Sequence, residues 1–229
     1  MTHCQKSTNR VHYGLMQGDI KAIAFDIDGT LVRENFWHKL HQLFGLSDED
    51  DLHWFELYHE NKLGYREWMG LISAEYRKNP QSKEAIEEIF REYLFVKETK
   101  KLIKRLQGKY ELALISSNIS AYVEDVGERL AIPFRYAFST IEYDKNGLFS
   151  HIGFTTDGTE LEHKVEALKD LCSRLLLQPS QIIFVGDSRN DLEAFRYTGR
   201  GILVREGNEE LQQAAWKRIS ALSELEGIL

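Results

Sequence analysis

Two pairs of acidic residues each follow a short, wholly apolar run in this 229-residue chain. Asp26 and Asp28 come directly after residues 22–25, and Asp187 and Asp191 come after residues 182–185. Four consecutive apolar residues are typical of a strand buried in a parallel sheet, and such sheets bind ligands at the carboxyl ends of their strands. Carboxylates so close to a core require a metal or a hydrogen-bond network, and oxygen ligands suit Mg²⁺. The sequence therefore predicts one Mg²⁺ site built from two strand ends.

Polar residues of other kinds lie between the two acidic pairs. Ser116, Ser117 and Asn118 directly follow the apolar residues 112–115, where a strand would lead into a helix. The free N–H groups of a helix N-terminus favour an anion such as phosphate. Lys164, at the start of a later helix, would help to neutralise four carboxylates and a phosphate dianion. Taken alone, the first segment is more typical of a helix cap and the lysine of a surface charge.

The elements that would position these residues alternate between strand and helix from residue 97 onward. Such alternation predicts an α/β protein with an open, Rossmann-like parallel sheet and helices on both faces. A strong turn sequence at residues 144–147 predicts a hairpin inside this pattern. The predicted helices cover 98–107, 119–130, 163–177, 190–197 and 209–219, and the predicted strands cover 22–25, 111–115, 136–139, 182–185 and 201–204.

Residues 33–96 differ from the rest because they have helical patterns and no convincing buried strand. We predict an α-helical cap inserted into a core domain of residues 20–32 and 97–229. Two of its helices are expected at residues 65–76 and 82–93. The cap has many aromatic residues, which would either pack as its own core, the interpretation we favour, or form a pocket that stacks on the substrate. These residues are Phe36, Trp37, Trp54, Phe55, Tyr58, Tyr65 and Trp68.

Composition excludes several classes of function. A net charge of −7 gives no reason to expect a nucleic-acid partner, and no apolar run is long enough to cross a membrane. Residues 1–19 are expected to form a loose tail without the apolar segment of a secretory signal. Two widely separated cysteines, Cys4 and Cys172, suit a reducing compartment. We expect a cytoplasmic protein, either a monomer or a homodimer.

The motifs resemble the haloacid dehalogenase superfamily, in the right order along the chain. Residues 26–30, Asp-Ile-Asp-Gly-Thr, resemble its first motif, and Ser116 and Lys164 resemble the second and third. The segment Gly-Asp-Ser-Arg-Asn-Asp at residues 186–191 resembles the fourth. The helical insert falls where this family carries its first type of cap, and the layout is similar to the phosphoserine-phosphatase-like branch.

This resemblance implies a phosphatase that acts on a small phosphorylated metabolite through an aspartyl-phosphate intermediate. Asp26 would be the nucleophile, and Asp28 would be the general acid and base. The alternatives are a phosphomutase of the same superfamily and a non-catalytic binding protein that has kept the fold. The implied phosphate ligands are Thr30, Ser116, Ser117, Asn118, Lys164 and Asn190. The implied Mg²⁺ ligands are Asp26, Asp187 and the backbone carbonyl of Asp28, with Asp191 helping directly or through water.

The cap departs from the pattern of phosphoserine phosphatases, which bind the amino acid through a cap Glu and a cap Arg. The aligned position of the Glu is Asn35, with Glu34 one residue early. Residues 68–72, where the Arg is expected, contain none, and Arg66 is the nearby candidate. The sequence therefore does not predict phosphoserine as the substrate.

Overall fold

A seven-stranded sheet forms the centre of the molecule in the computed structural model, which describes residues 19–60 and 62–229. The strand order is β4-β3-β2-β1-β5-β6-β7, and every neighbouring pair is parallel except β3 and β4. The predicted α/β fold is therefore confirmed. The strands are β1 (Ala22–Phe25), β2 (Glu111–Ile119), β3 (Phe134–Tyr143), β4 (Phe149–Phe154), β5 (Ile182–Gly186), β6 (Gly201–Val204) and β7 (Lys217–Ile219).

The central strand β1 is buried on both faces, as its apolar sequence predicts. Ala22 and Ala24 pack into a cluster on one face of the sheet, which includes residues of the helices that follow β4 and β5. Ile23 and Phe25 pack into a larger cluster on the other face. This larger cluster also contains buried residues of the helical insert, so the insert shares its hydrophobic core with the sheet.

Nine α-helices surround the sheet within the described residues. The first four lie in the predicted cap and the others in the predicted core domain. Among the described residues, no helix is both long and apolar enough to cross a bilayer. The helices are α1 (Phe36–Phe44), α2 (Asp48–His59), α3 (Tyr65–Tyr76), α4 (Lys83–Ile89), α5 (Thr99–Leu106), α6 (Ser120–Leu130), α7 (Glu160–Leu175), α8 (Leu192–Thr198) and α9 (Glu209–Ala214).

Two helix predictions need correction. The helix predicted over residues 82–93 ends at Ile89. The helix predicted over residues 209–219 ends at Ala214, because Ala215 adopts an extended conformation and Ile219 pairs with Val204 at the edge of the sheet. The missed element is β7, which is only three residues long and has a single buried side chain, so its apolar pattern is too short to detect.

The predicted hairpin joins β3 to β4. The Asp144 carboxylate accepts hydrogen bonds from the N–H groups of Asn146 (2.8 Å) and Leu148 (2.9 Å), and Gly147 has φ +78°. β3 extends well beyond the predicted residues 136–139, and the hairpin therefore lies past the parallel part of the sheet. The predicted tail, residues 1–19, lies outside the described residues apart from Asp19, and the boundaries of core and cap stay predictions.

Candidate active site

Three strands deliver polar side chains to one edge of the sheet. Phe25 of β1 is aligned with Leu114 of β2 and with Val185 of β5. Asp26 is therefore one residue past this line, and Ser116 and Asp187 are each two residues past it on the flanking strands. Asp26 and Ser116 are buried, with exposed fractions of only 4% and 3%. Parallel strands thus bring together residues that are far apart in the sequence, as predicted.

Lys164 is fully buried and contacts the carboxylates from both acidic pairs. Its Nζ lies 3.2 Å from Asp26 Oδ1 and 2.5 Å from Asp191 Oδ1, and it donates to Asn190 Oδ1 at 2.8 Å. Burial disfavours the charge of the lysine, but the two carboxylates outweigh it and raise the pKa of Lys164 above its usual value. Lys164 is therefore a buried cation inside the site and not a surface charge.

Asp191 is held by the backbone of the turn that follows β5. Its Oδ2 accepts hydrogen bonds from the N–H groups of Asp187 (2.9 Å) and Ser188 (3.0 Å). A Cβ on Gly186 would lie only 2.3 Å from Asp191 Oδ2, so this turn requires glycine. Gly29 has a similar role, because it has φ +72° and its added Cβ would lie 2.0 Å from Asp187 Oδ2. Both glycines allow backbone to pass directly beside a carboxylate.

Asp26, Asp187 and Asp191 each offer an oxygen within 4.8 Å of the others. Burial raises the pKa of Asp26 to about 6, with a contribution from Asp191 and against the attraction of Lys164. Burial and repulsion from Asp26 and Asp191 raise the pKa of Asp187 to about 7. The cluster therefore has more negative charge than Lys164 neutralises, and its oxygen donors fit a Mg²⁺ ion.

The carboxylate of Asp28 is held separately from this cluster. Its Oδ2 accepts hydrogen bonds from the N–H of Phe36 (2.7 Å) and from Asn118 Nδ2 (2.9 Å). Its Oδ1 accepts a hydrogen bond from the Tyr122 hydroxyl at 3.0 Å. Burial raises the pKa of Asp28 to about 7, even though these three hydrogen bonds oppose the rise. A carboxyl group with a pKa near neutrality can both donate and accept a proton.

Thr30 and Asn118, two other predicted phosphate ligands, contact these carboxylates. Thr30 is fully buried, and its hydroxyl is 3.4 Å from Asp187 Oδ1. Ser117 is buried, and its hydroxyl has no hydrogen-bond partner within the described residues. Asn118 has both ends of its side chain engaged, because its amide donates to Asp28 and its Oδ1 accepts from the N–H of Ile119 (3.1 Å). The structure thus gives Asn118 a contact that the sequence does not predict.

Sequence reasoning also missed two residues that face the site from the side of the cap. Glu160 begins α7 one helical turn before Lys164, and its carboxylate accepts a hydrogen bond from the Tyr58 hydroxyl at 2.9 Å. Burial raises the pKa of Glu160, while Tyr58 and Lys164 oppose the rise. The four-residue spacing from Lys164 is a signal that could have identified Glu160. No local signal marks Tyr122, which is the third residue of α6.

The aromatic residues of the cap pack mainly against one another. The rings of Tyr58 and Trp68 are stacked with their centres 5.2 Å apart, and Tyr65 packs edge-on against Trp68 at 5.9 Å. Phe36 is stacked on Tyr122 of the core at 4.4 Å. These contacts favour the interpretation that the aromatic residues form the core of the cap. Arg66 donates to the backbone carbonyls of residues 156 and 158 and lies over the Phe154 ring.

Comparison with known proteins places this geometry in a family. The family profile of haloacid dehalogenase-like hydrolases matches residues 20–199. A phosphoserine phosphatase from Archaeoglobus fulgidus is 23% identical over 192 residues, which are 83% of this chain and 54% of that protein. A phosphoglycolate phosphatase from Methanosarcina acetivorans is 26% identical over 146 residues, 64% of this chain and 60% of that protein. The chain thus spans little more than half the length of these two relatives.

A solved structure shows the same fold. It is a phosphoserine phosphatase determined as a phospho-aspartyl intermediate analogue, and it has a TM-score of 0.77 and 20% sequence identity to this chain. The match covers 92% of this chain and 99% of that one. Because the family profile covers most of the chain and all four motifs meet at one edge of the sheet, this chain belongs to the haloacid dehalogenase-like hydrolases.

Proposed function

We propose that this protein is a Mg²⁺-dependent phosphatase that hydrolyses a small phosphomonoester through an aspartyl-phosphate intermediate. The observation that carries the proposal is the different environment of the two aspartates of the first motif. Asp26 contacts Lys164 and belongs to the acidic cluster, whereas Asp28 is held apart by three hydrogen-bond donors. This difference supports the assignment of Asp26 as the nucleophile and of Asp28 as the group that transfers a proton.

In the first step, an oxygen of Asp26 attacks phosphorus and the bond to the leaving oxygen breaks. Asp28 gives its proton to that oxygen, so the alcohol leaves in its neutral form. Lys164 would hold a phosphoryl oxygen, together with Ser116, Ser117, Thr30 and Asn190 as further candidate ligands. In the second step, Asp28 takes a proton from water as the water oxygen attacks phosphorus. The bond between phosphorus and the Asp26 oxygen breaks, which releases inorganic phosphate and restores the Asp26 carboxylate. Most of the rate gain comes from positioning and charge neutralisation.

Mg²⁺ would be held by Asp26, Asp187, Asp191 and the backbone carbonyl of Asp28. When bound, it would neutralise the phosphoryl oxygens and the surrounding carboxylates. The side chain of Asp28 is directed to its own three donors, so only its carbonyl is assigned to the metal.

The substrate is proposed to be small, because the nucleophile is only 4% exposed. Residues near the expected amino-acid ligands of the cap have other contacts. Asn35 caps α1, Glu34 accepts from the N–H of Leu94 (3.0 Å), and Arg66 binds backbone carbonyls of the core. These contacts support a phosphorylated metabolite other than phosphoserine. A cytoplasmic location and a monomeric or homodimeric state stay predictions.

The test of this function is a phosphate-release screen over a broad panel of phosphorylated metabolites. We expect activity with Mg²⁺, loss of activity with EDTA, and a fall of more than about a thousandfold in kcat for Asp26→Asn. Glu49→Gln, which changes an exposed carboxylate of α2, serves as the control and should retain activity. A wild-type protein that is inert across the panel, or an Asp26→Asn variant of undiminished activity, would contradict the proposal.

Thermal unfolding tests the metal site independently of catalysis. Binding of Mg²⁺ to the folded state alone should raise Tm by about 5 °C or more at saturating concentration. Asp187→Asn removes one oxygen anion of the cluster and should abolish most of this rise, while Glu49→Gln should retain it. An equal rise in all three proteins would show that the cluster is not the binding site.

A further inference from the structure

The Tyr122 side chain reaches the site from α6 and touches only one of the two aspartates of the first motif. It is 1% exposed, and its hydroxyl donates to Asp28 Oδ1 at 3.0 Å. Its ring is stacked on Phe36 with the centres 4.4 Å apart and the planes inclined by 16°. The N–H of Phe36 is itself a donor to Asp28 Oδ2. Tyr122 therefore contacts Asp28 directly and also contacts the residue that supplies another of its hydrogen bonds.

The ring of Tyr122 is also fixed on a second side. Tyr93 packs edge-on against it, with the centres 5.3 Å apart and the planes at 89°. Tyr93 directs its own hydroxyl to Asp125 Oδ2 at 2.8 Å. The two tyrosines thus pack against each other but donate to different aspartates, Tyr122 to Asp28 and Tyr93 to Asp125. A ring held between Phe36 and Tyr93 can place a hydroxyl at a constant position.

The two oxygens of Asp28 differ in their hydrogen-bond partners. Oδ2 accepts from two N–H donors, those of Phe36 and Asn118, so both of its in-plane lone pairs are occupied. Among the described residues, Oδ1 accepts only from Tyr122, which leaves one lone pair available. A proton on Asp28 is therefore accommodated on Oδ1, the oxygen whose direction the Tyr122 hydroxyl fixes.

We propose that Tyr122 is a positioning residue that holds Asp28 Oδ1 in the orientation from which the proton reaches the leaving oxygen. This inference rests on the proposed function, because it assumes that Asp28 is the general acid. The proton moves from Asp28 Oδ1 to the leaving oxygen as the phosphorus–oxygen bond breaks, and Tyr122 keeps its own proton throughout. Removal of the hydroxyl leaves Oδ1 without the donor that fixes its direction, although Oδ2 keeps its two N–H donors. The contact between Asp26 and Lys164 is retained.

The test uses the dependence of kcat/KM on the acidity of the leaving group. 4-Nitrophenyl phosphate has a leaving group that departs without a proton, whereas phenyl phosphate and glycerol 2-phosphate increasingly need one. For Tyr122→Phe, we expect kcat/KM to stay within about twofold for 4-nitrophenyl phosphate and to fall about tenfold for glycerol 2-phosphate. Because kcat/KM reports only steps through formation of the phosphoenzyme, slow hydrolysis of the intermediate does not obscure the result.

Tyr93→Phe is the matched control, because it removes a hydroxyl from the neighbouring ring without touching Asp28. The ratio of its kcat/KM to that of the wild type should not change with the acidity of the leaving group. A fall in kcat/KM of Tyr122→Phe that is equal for all three substrates would overturn the positioning role and leave the proposed function intact. A wild-type protein inert toward all three substrates with Mg²⁺ would instead contradict the proposed function. If Tyr122→Phe is recovered unfolded, Tyr122→Met fills the same space without a hydroxyl and is subject to the same criterion.

Discussion

The cap contacts the core along two edges that are built from different interactions. At the hairpin edge, Ser73, Tyr76 and Lys83 of the cap meet the β3–β4 hairpin. At the mouth edge, Tyr58 and Arg66 of the cap meet Glu160 and the loop that follows β4, beside the active site. The two edges differ in burial and in the kind of hydrogen bond that each contains.

The hairpin edge is made of backbone hydrogen bonds and buried rings. The N–H of Lys83 donates to the Gly147 carbonyl, and the N–H of Phe149 donates to the Gln81 carbonyl, both at 2.9 Å. The ring of Tyr76 packs edge-on against Phe149 at 5.3 Å and is stacked on Phe44. These rings belong to the core that the cap shares with the sheet. This edge therefore contributes to global stability.

At the mouth edge, the side chains that make the polar contacts are half-buried or exposed, while the buried ring of Tyr65 beside them packs against Phe138 and Phe154. Tyr58 and Glu160 are half-buried, and Arg66 is exposed. Side-chain hydrogen bonds that solvent can reach break at a small cost in free energy, whereas separating a shared apolar core costs much more. We therefore expect the contact between α2 and the core at the mouth edge to open more readily than the hairpin edge.

The largest expected effect is the loss of a ring at the hairpin edge. Phe149→Ala removes a side chain that is 3% exposed and packs against Tyr76 and Phe44. We expect the free energy of unfolding to fall by about 3–5 kcal/mol, because the transfer energy of the ring is lost and a cavity remains. Urea denaturation measures the loss. Leu94→Ala is the control, because its side chain is 62% exposed, and it should change the free energy of unfolding by less than about 0.5 kcal/mol. Similar losses in both variants would contradict a core that the cap and the sheet share through this edge.

A smaller effect is expected from a single hydrogen bond at the same edge. Ser73 is buried, and its hydroxyl accepts from the N–H of Ile152 at 3.1 Å. Ser73→Ala leaves that N–H without its partner, and we expect a loss of about 1–2 kcal/mol. Ser73→Thr is the control, because it changes the packing but keeps the hydroxyl that accepts from the Ile152 N–H. If Ser73→Ala were as stable as the wild type, this contact would not contribute to the attachment of the cap.

The core and the cap differ in how far the sequence predicts them. Asp26 and Asp187 follow runs of buried apolar residues, and parallel strands of similar length must end at the same edge. The site could therefore be predicted from local patterns. Tyr122 could not be assigned, because its role depends on where α6 packs after folding, whereas Glu160 has one signal in the sequence, its four-residue spacing from Lys164. The same limit applies to β7, whose pairing with β6 is a tertiary contact that overrides the helical pattern before it.

The smallest effect on stability is expected at the mouth edge. Tyr58→Phe removes the hydroxyl that donates to Glu160 but keeps the ring stacked on Trp68. Because the contact is half-buried, we expect the free energy of unfolding to change by less than about 0.5 kcal/mol.

Local opening should nevertheless become easier in Tyr58→Phe, because the hydroxyl joins α2 to Glu160 of α7. Hydrogen exchange measured by mass spectrometry should be faster in α2 of this variant, by about twofold to fivefold, and unchanged in β4. Tyr136→Phe is the matched control, since its hydroxyl also donates to a carboxylate, that of Asp170 at 2.7 Å, but on a strand of the core. Faster exchange in both α2 and β4 of Tyr58→Phe would mean that the two edges open together, and the distinction between a fixed and an opening edge would be wrong.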